Sequence, residues 1–413
     1  MSKTNSKPTV QIRLVKSISE VPAAAWDACA AGPSKAHVMG EDNLSPELST
    51  RGQVPNPFVS HAFLSACEQS KSVGGRSGWQ VSHLLVESDG DLLGAAPCYV
   101  KSHSQGEYVF DGGWAEAYER AGGDYYPKLQ LSVPFTPVTG PRLLVRSGPA
   151  SAEIFGVLAD AVAEITTGNN LSSAHITFLP EQDWEALGKR GFLQRTDQQF
   201  HWENVGYATF EDFLAALSSR KRKTIRRERT EALAPGIEIA WLTGSDLTEE
   251  VWDAFFEFYM DTGSRKWGRP YLTREFFSII GATMADRILL IMAKRNGHWI
   301  AGAINFIGAD ALYGRNWGAV ENHPFLHFEV CYYQAIDYAI AHKLKRVEAG
   351  AQGEHKLARG YLPHTTYSAH FIANPGLRRA VAEYLARERA YVEAASEELA
   401  AAAPFRKDLA EQE

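Results

Sequence analysis

Residues 287–319 read RILLIMAKRNGHWIAGAINFIGADALYGRNWGA. Three runs rich in β-branched and aromatic residues are separated by Asn296-Gly297 and by a short break near Ala309-Asp310. Asn-Gly between alternating apolar residues is a strong hairpin signal, because both positions accept positive φ. The stretch therefore predicts a three-strand antiparallel meander. Before it, FEDFLAALSSRKRKTIRRERTEAL (210–233) and TEEVWDAFFEFYMDTGSRKWG (248–268) carry apolar residues at helical spacing. After it, HFEVCYYQAIDYAIAHKL (327–344) reads as a helix and KRVEAG (345–350) as a strand. The order is helices, meander, helix, strand.

The same order is legible earlier in the chain. TVQIRLVK (9–16) predicts a first strand, followed by a helix over 23–31 and a second that starts at Pro57. VSHLLVE and LLGAAPCYVK form a hairpin across Ser88-Asp89-Gly90-Asp91, and EYVFD (107–111) predicts a third strand. LQLSVPFTPVTGPRLLV reads as strand, turn and strand, with Pro134 and Pro137 at an edge or bulge. The helix SAEIFGVLADAVAEI (151–165) and the strand SSAHITFL (172–179) follow. Two halves of like order suggest duplication. The expected layout is a disordered tail over 1–8, a first domain over 9–200 and a second over 201–374. A long loop is expected over 32–56, and a C-terminal helix within 375–413 that packs on the second domain.

The length of 413 residues suits two cores rather than one. The net charge of −7 gives no global attraction to nucleic acid or anionic lipid, so such contacts need a local patch. No apolar run reaches the ~18 residues of a membrane span. The polar start MSKTNSKPTV does not read as a signal peptide, which points to the cytoplasm. Cys29, Cys67, Cys98 and Cys331 are scattered without metal-ligand spacing, so reduced thiols and no metal site are expected.

The segments GEYVFDGGWAEAY, YYPKLQLSVPFTPVTGPRLL, YGRNWGA, LHFEVCYYQAIDYAI and GAQGEHKLARGYLPHTTYSAH resemble a bacterial FemAB-like group. That group is labelled as peptidoglycan biosynthesis or recognition proteins and is related to the FemABX aminoacyl transferases. The resemblance covers residues from about 57 to 390. It implies an α/β (α+β) fold of two tandem GNAT-like (acyl-CoA N-acyltransferase-like) domains, with mixed central sheets flanked by helices. Acetyl-CoA users of this fold hold the pyrophosphate in a glycine-bearing loop ahead of a helix. The matching position in the second half reads ENHPFLHFEV, without glycine, and in the first half VRSGPASAEI, with one. FemABX enzymes use aminoacyl-tRNA, so the resemblance leaves aminoacyl-tRNA and acyl-CoA as acyl donors and implies no certain cofactor.

Four groups of residues are candidates for the chemistry. Arg220, Arg222, Lys223 and Arg226 lie in a basic run at helical spacing, suited to phosphates of a donor and equally to a solvated helix face. Arg315 and Trp317 share one side of a strand by alternation, where they suit substrate binding. His327 and Glu329 open the helix that follows. Cys331 lies one turn from His327, but with no third member it reads as packing. Glu354, His355, Lys356 and Arg359 stand in a glycine-rich loop at the carboxyl end of a strand, where α/β folds bind ligands. Of these, Glu354, His355 and His327 are candidate bases, and Glu329, Lys356 and Arg359 substrate contacts. In the first half Glu107, Tyr108 and Asp111, near Lys101 and Lys128, are candidate contacts for an amine. Transfer of an acyl or aminoacyl group to a small-molecule or peptide amine is the leading function. The alternatives are an acetyl-CoA-dependent N-acetyltransferase and a non-catalytic binder of peptidoglycan precursors.

Overall fold

The computed structural model describes residues 10–32, 54–267, 270–350 and 353–406, apart from the side chains of 264–267 and 354. The expected tail over 1–8 and most of the expected loop over 32–56 lie outside the described residues. The chain divides into two compact units. The first takes residues up to 135, 139–195 and 367–387, and the second takes 136–138, 196–366 and 388 onward.

The first unit holds an antiparallel sheet in the order Val10–Val15, His83–Ser88, Asp91–Ala96, Leu144–Val145. Its tight hairpin turns at Asp89 and Gly90, both at positive φ. Beside it run Trp79–Val81, Cys98–Lys101, Lys128–Leu131, Ser173–Leu179 and, from Tyr367 on, the strand Leu362–Ile372. Lys128–Leu131 and Ser173–Leu179 are parallel, which requires a crossover, and the helix Ser151–Gly168 supplies it. That helix buries Ile154, Leu158, Ala161 and Val162, at helical spacing, against Leu129, Leu131, Ala174 and Ile176.

Residues 107–111 are not the strand that alternation suggests. Gly106 and Tyr108 take positive φ, so the chain turns and enters the helix Gly112–Arg120. The next ladder partner of Cys98–Lys101 is Lys128–Leu131 instead. Sequence alone attaches the long helix Pro375–Ala401 to the second half. In its first turns, however, Leu377, Val381 and Leu385 pack with Trp114, Tyr125 and Ile372 of the first unit.

In the second unit the order is Ile237–Leu242, Ile288–Arg295, His298–Ile307, Ala311–Ala319, Arg346–Glu348, Leu193–Glu203. The meander of residues 287–319 forms as read, turning at Asn296 and Gly297 with both at positive φ. Gly302 and Gly318 pair across its second hairpin. A Cβ on Gly318 would collide with the carbonyl oxygen of Phe258, so the bare glycine lets the helix Glu249–Trp267 lie close on the sheet.

Candidate functional site

The strands Ala311–Ala319 and Arg346–Glu348 run parallel and pair only as far as Tyr313 and Glu348. Beyond that point the first strand continues for six residues while the second ends, and the ladder between them stops. The register with His298–Ile307 also shifts here: Gly314 pairs Asn305, but Trp317 pairs Ala303. Arg315 and Asn316 thus oppose the single residue Ile304, as in a bulge. The shift reverses the alternation, so Tyr313 and Trp317 fall on opposite faces rather than one.

Two cations gather where the ladder ends. Arg315 Nη1 donates to the carbonyl of Gly314 at 2.8 Å and to that of Glu348 at 3.4 Å. Lys356 Nζ donates to the carbonyls of Ala349 at 2.7 Å and Gly350 at 3.0 Å. Burial, and then the charge of Arg315, lower the Lys356 ammonium to about 8. The Glu348 carboxylate is fully buried beneath them. Burial pushes it up, but positive groups including Arg346 and Arg315 outweigh this and hold it low.

An aromatic group adjoins these cations. The rings of Trp317 and His327 are 5.3 Å apart, His327 and His355 6.1 Å, and Phe328 and His355 5.8 Å. His355 is exposed, and its Nε2 shares a hydrogen bond of 2.9 Å with the Tyr332 hydroxyl. Arg359 lies 3.4 Å over the Phe328 ring and donates to the His355 carbonyl at 2.7 Å. The helix supplying His327, Phe328 and Tyr332 starts after Phe325 at positive φ and contains a π turn over Glu329–Tyr333. Such single π turns are frequent at functional sites.

The structure therefore brings together Arg315, Trp317, His327, His355, Lys356 and Arg359. The side chain of Glu354 lies outside the described residues. Glu329 is fully buried and faces elsewhere: it takes two hydrogen bonds from Arg229, at 3.1 and 2.9 Å, and one from Gln334 at 2.7 Å. On the basic helix Ser219–Leu233, Arg220 and Lys223 are exposed. Arg226 pairs Glu211 at 2.5 Å, and Arg222 reaches back to the carbonyls of Leu214 and Ala215.

Sequence reasoning missed Tyr332 and Glu228, and it counted Arg229 with the outward basic run although it pairs inward with Glu329 and Asp337. The signal was present: Glu228 and Arg229 follow the buried Ile225 by three and four residues, on its face.

In the first unit Glu107 and Asp111 do meet an amine, but it is the chain's own Lys128. Its Nζ lies 2.7 Å from Glu107, 2.5 Å from Asp111 and 2.7 Å from Ser104 Oγ. Burial would raise the Asp111 carboxyl, and Lys128 reverses this, holding it below its usual value. Tyr125 also donates to Asp111 at 2.7 Å. His175 and His370 share a hydrogen bond of 2.7 Å, and burial lowers His175 to about 3. Tyr108 is half-buried at the turn above. Burial lowers Lys101 to about 7, with its Nζ 3.7 Å over the Trp79 ring.

Among the described residues no three His, Cys, Asp or Glu side chains gather as a metal site, and no described helix is long and apolar enough to cross a membrane. The family model for peptidoglycan biosynthesis/recognition proteins of FemAB-like type matches residues 17–407. The chain belongs to the FemAB-like family. No curated protein matches it. Among solved structures, this FemAB-like chain is similar to FemX, at 12% identity and a TM-score of 0.51, covering 90% of this chain and all of that one. A tandem GNAT protein from the clavulanic acid biosynthesis pathway gives 11% identity and a TM-score of 0.45, covering 89% of this chain and 99% of that one. L-PGS from Bacillus licheniformis gives 9% and 0.49, covering 80% and 97%. The likeness to FemX shows the fold: the FemAB-like chain is an α/β protein with tandem GNAT-like architecture, its mixed sheets flanked by helices.

Proposed function

We propose that this FemAB-like chain transfers an acyl or aminoacyl group to an amine acceptor, in peptidoglycan-related metabolism of the cytoplasm. The observation that carries this reading is the gathering of Arg315 and Lys356 where the ladder between Ala311–Ala319 and Arg346–Glu348 ends. An acyl carbonyl that displaces one of these backbone contacts meets two cations suited to a developing oxyanion. The amine nitrogen attacks the acyl carbon, its proton passes to a base, and the donor's oxygen or sulfur leaves with a proton. His355, exposed and oriented by Tyr332, suits the base, and the His327 ring lies against the same tyrosine. The loop that leads into the helix after the meander, ENHPFLHFEV, has no glycine to bring backbone N–H groups onto a pyrophosphate. This favours aminoacyl-tRNA over acyl-CoA as donor, with the exposed Arg220 and Lys223 for its phosphates.

The test is turnover of amine acceptors with aminoacyl-tRNA and with acyl-CoA. His355→Asn should cost about 10²–10⁴-fold in rate and Lys356→Met about 10²–10³-fold, with melting temperatures close to that of the parent. Deprotonation removes the Lys356 charge that stabilises the oxyanion, so the rate falls as pH rises through about 8. Joint reversal of Arg220 and Lys223 to Glu weakens the donor in a salt-dependent way. Neither donor binding nor turning over would overturn the reading.

A further inference from the structure

The basic helix Ser219–Leu233 has two chemically opposite sides. Outward it shows Arg220, Lys223 and Arg227, and inward it buries Ile225, Glu228 and Ala232. Glu228 is an acid placed inside a run of cations, and its carboxylate is spent on the loop that carries His355 and Lys356. Arg359 Nη2 donates to both of its oxygens, at 2.9 and 3.0 Å, and the Tyr333 hydroxyl donates to it as well. Arg359 in turn donates to the His355 carbonyl and lies on Phe328. One residue along, Arg229 grips Glu329 and Asp337 of the helix that bears His327. The inner side of the helix thus holds both elements that carry the candidate reacting groups.

We infer that Glu228 is a positioning residue, which fixes the loop Glu354–Arg359 through Arg359 and so sets where His355 and Lys356 stand. A helix could be anchored to its neighbours by apolar contacts alone. A buried, forked ion pair is costly to desolvate and is directional, so it fixes geometry in a way that grease does not. The loop needs such a fixture. Glu354–Arg359 is a single 3-10 stretch between Gly353 and Gly360, both at positive φ, and short helices of this kind hold poorly on their own.

The inference rests on the loop being the reacting site, but its test needs no turnover, so the two can fail separately. Backbone hydrogen exchange is followed by mass spectrometry in the parent, Glu228→Gln, Arg359→Met and Tyr333→Phe. The Lys356 amino group is titrated by side-chain NMR in the same proteins. Glu228→Gln and Arg359→Met should each speed exchange across 354–361 by at least about tenfold, with the strand Ile288–Arg295 unchanged. Glu228 is not among the groups that directly set the Lys356 titration, which burial and Arg315 depress to about 8. A return toward the ordinary lysine value of 10.5 in Glu228→Gln would therefore report displacement of the loop itself. Tyr333→Phe keeps the Arg359 pair and should leave both readouts near the parent. Should Glu228→Gln fail to fold, Arg359→Met reads the same pair from its other end. Unchanged loop exchange and an unmoved Lys356 titration would overturn the inference, as would equal acceleration over the whole unit.

Discussion

Lys128→Met in the first unit tests the buried charge network most directly. Lys128 is inaccessible to solvent and makes three hydrogen bonds, two of them to the carboxylates of Glu107 and Asp111. Methionine keeps much of the volume and removes the charge. Two buried carboxylates then remain with Lys101, 3.5 Å from Glu107, and with the Tyr125 hydroxyl and His175 beside Asp111. Removing one partner of a buried pair costs about 3–5 kcal/mol. The pH dependence gives an independent check. In the parent Asp111 is held below its usual 3.8, so its contribution is present above that pH and lost as pH falls through the depressed value. In the variant burial is opposed by far less and the carboxyls titrate higher, with every tenfold change in their acidity amounting to about 1.4 kcal/mol. They then take up protons on folding, so the penalty is largest near pH 7 and shrinks toward pH 5. Urea unfolding at both pH values, followed by exchange of 128–131 and 173–179 to isolate this unit, measures it. A loss under about 1 kcal/mol, or one equal at both pH values, would refute the reasoning.

Two further outcomes follow from packing and burial. Gly318→Ala should destabilise the second unit by about 3 kcal/mol, because the new Cβ meets the Phe258 backbone oxygen, which cannot swing aside; a melting curve like the parent's would count against that packing. Acid should weaken the first unit. His175 titrates at 6.5 when unfolded and near 3 when folded, so stability is full above 6.5 and falls by about 1.4 kcal/mol per pH unit below it. Denaturation midpoints between pH 7 and 4 check this, and His175→Asn should flatten the slope.

The meander at 287–319 is readable because two local rules agree there: alternation within each run, and Asn-Gly between the first two. The gathering of Arg315, Trp317, His327, His355, Lys356 and Arg359 is also legible, since strand order dictates which loop ends meet. What failed depended on distant partners. EYVFD alternates like a strand, yet Gly106 and Tyr108 turn the chain, and nothing local in Tyr108 announces a positive φ. Glu107 and Asp111 look open to a ligand because sequence does not reveal that Lys128 fills them from a strand 17 residues beyond Asp111. The register shift at Arg315 and Asn316 is one residue wide, and it moves Trp317 to the other face.

The strand that completes the first unit's sheet enters it late. His370 pairs His175 across a sequence separation of 195 residues. During synthesis at about 5–20 residues per second, on the order of 10–40 s pass between the appearance of the two histidines. For that interval the strand Ser173–Leu179 presents an open edge, and most of the second unit, residues 196–366, is translated before its partner is complete. The nascent chain thus carries a sticky border through the making of its other half, a vulnerability to mispairing that the finished molecule no longer displays.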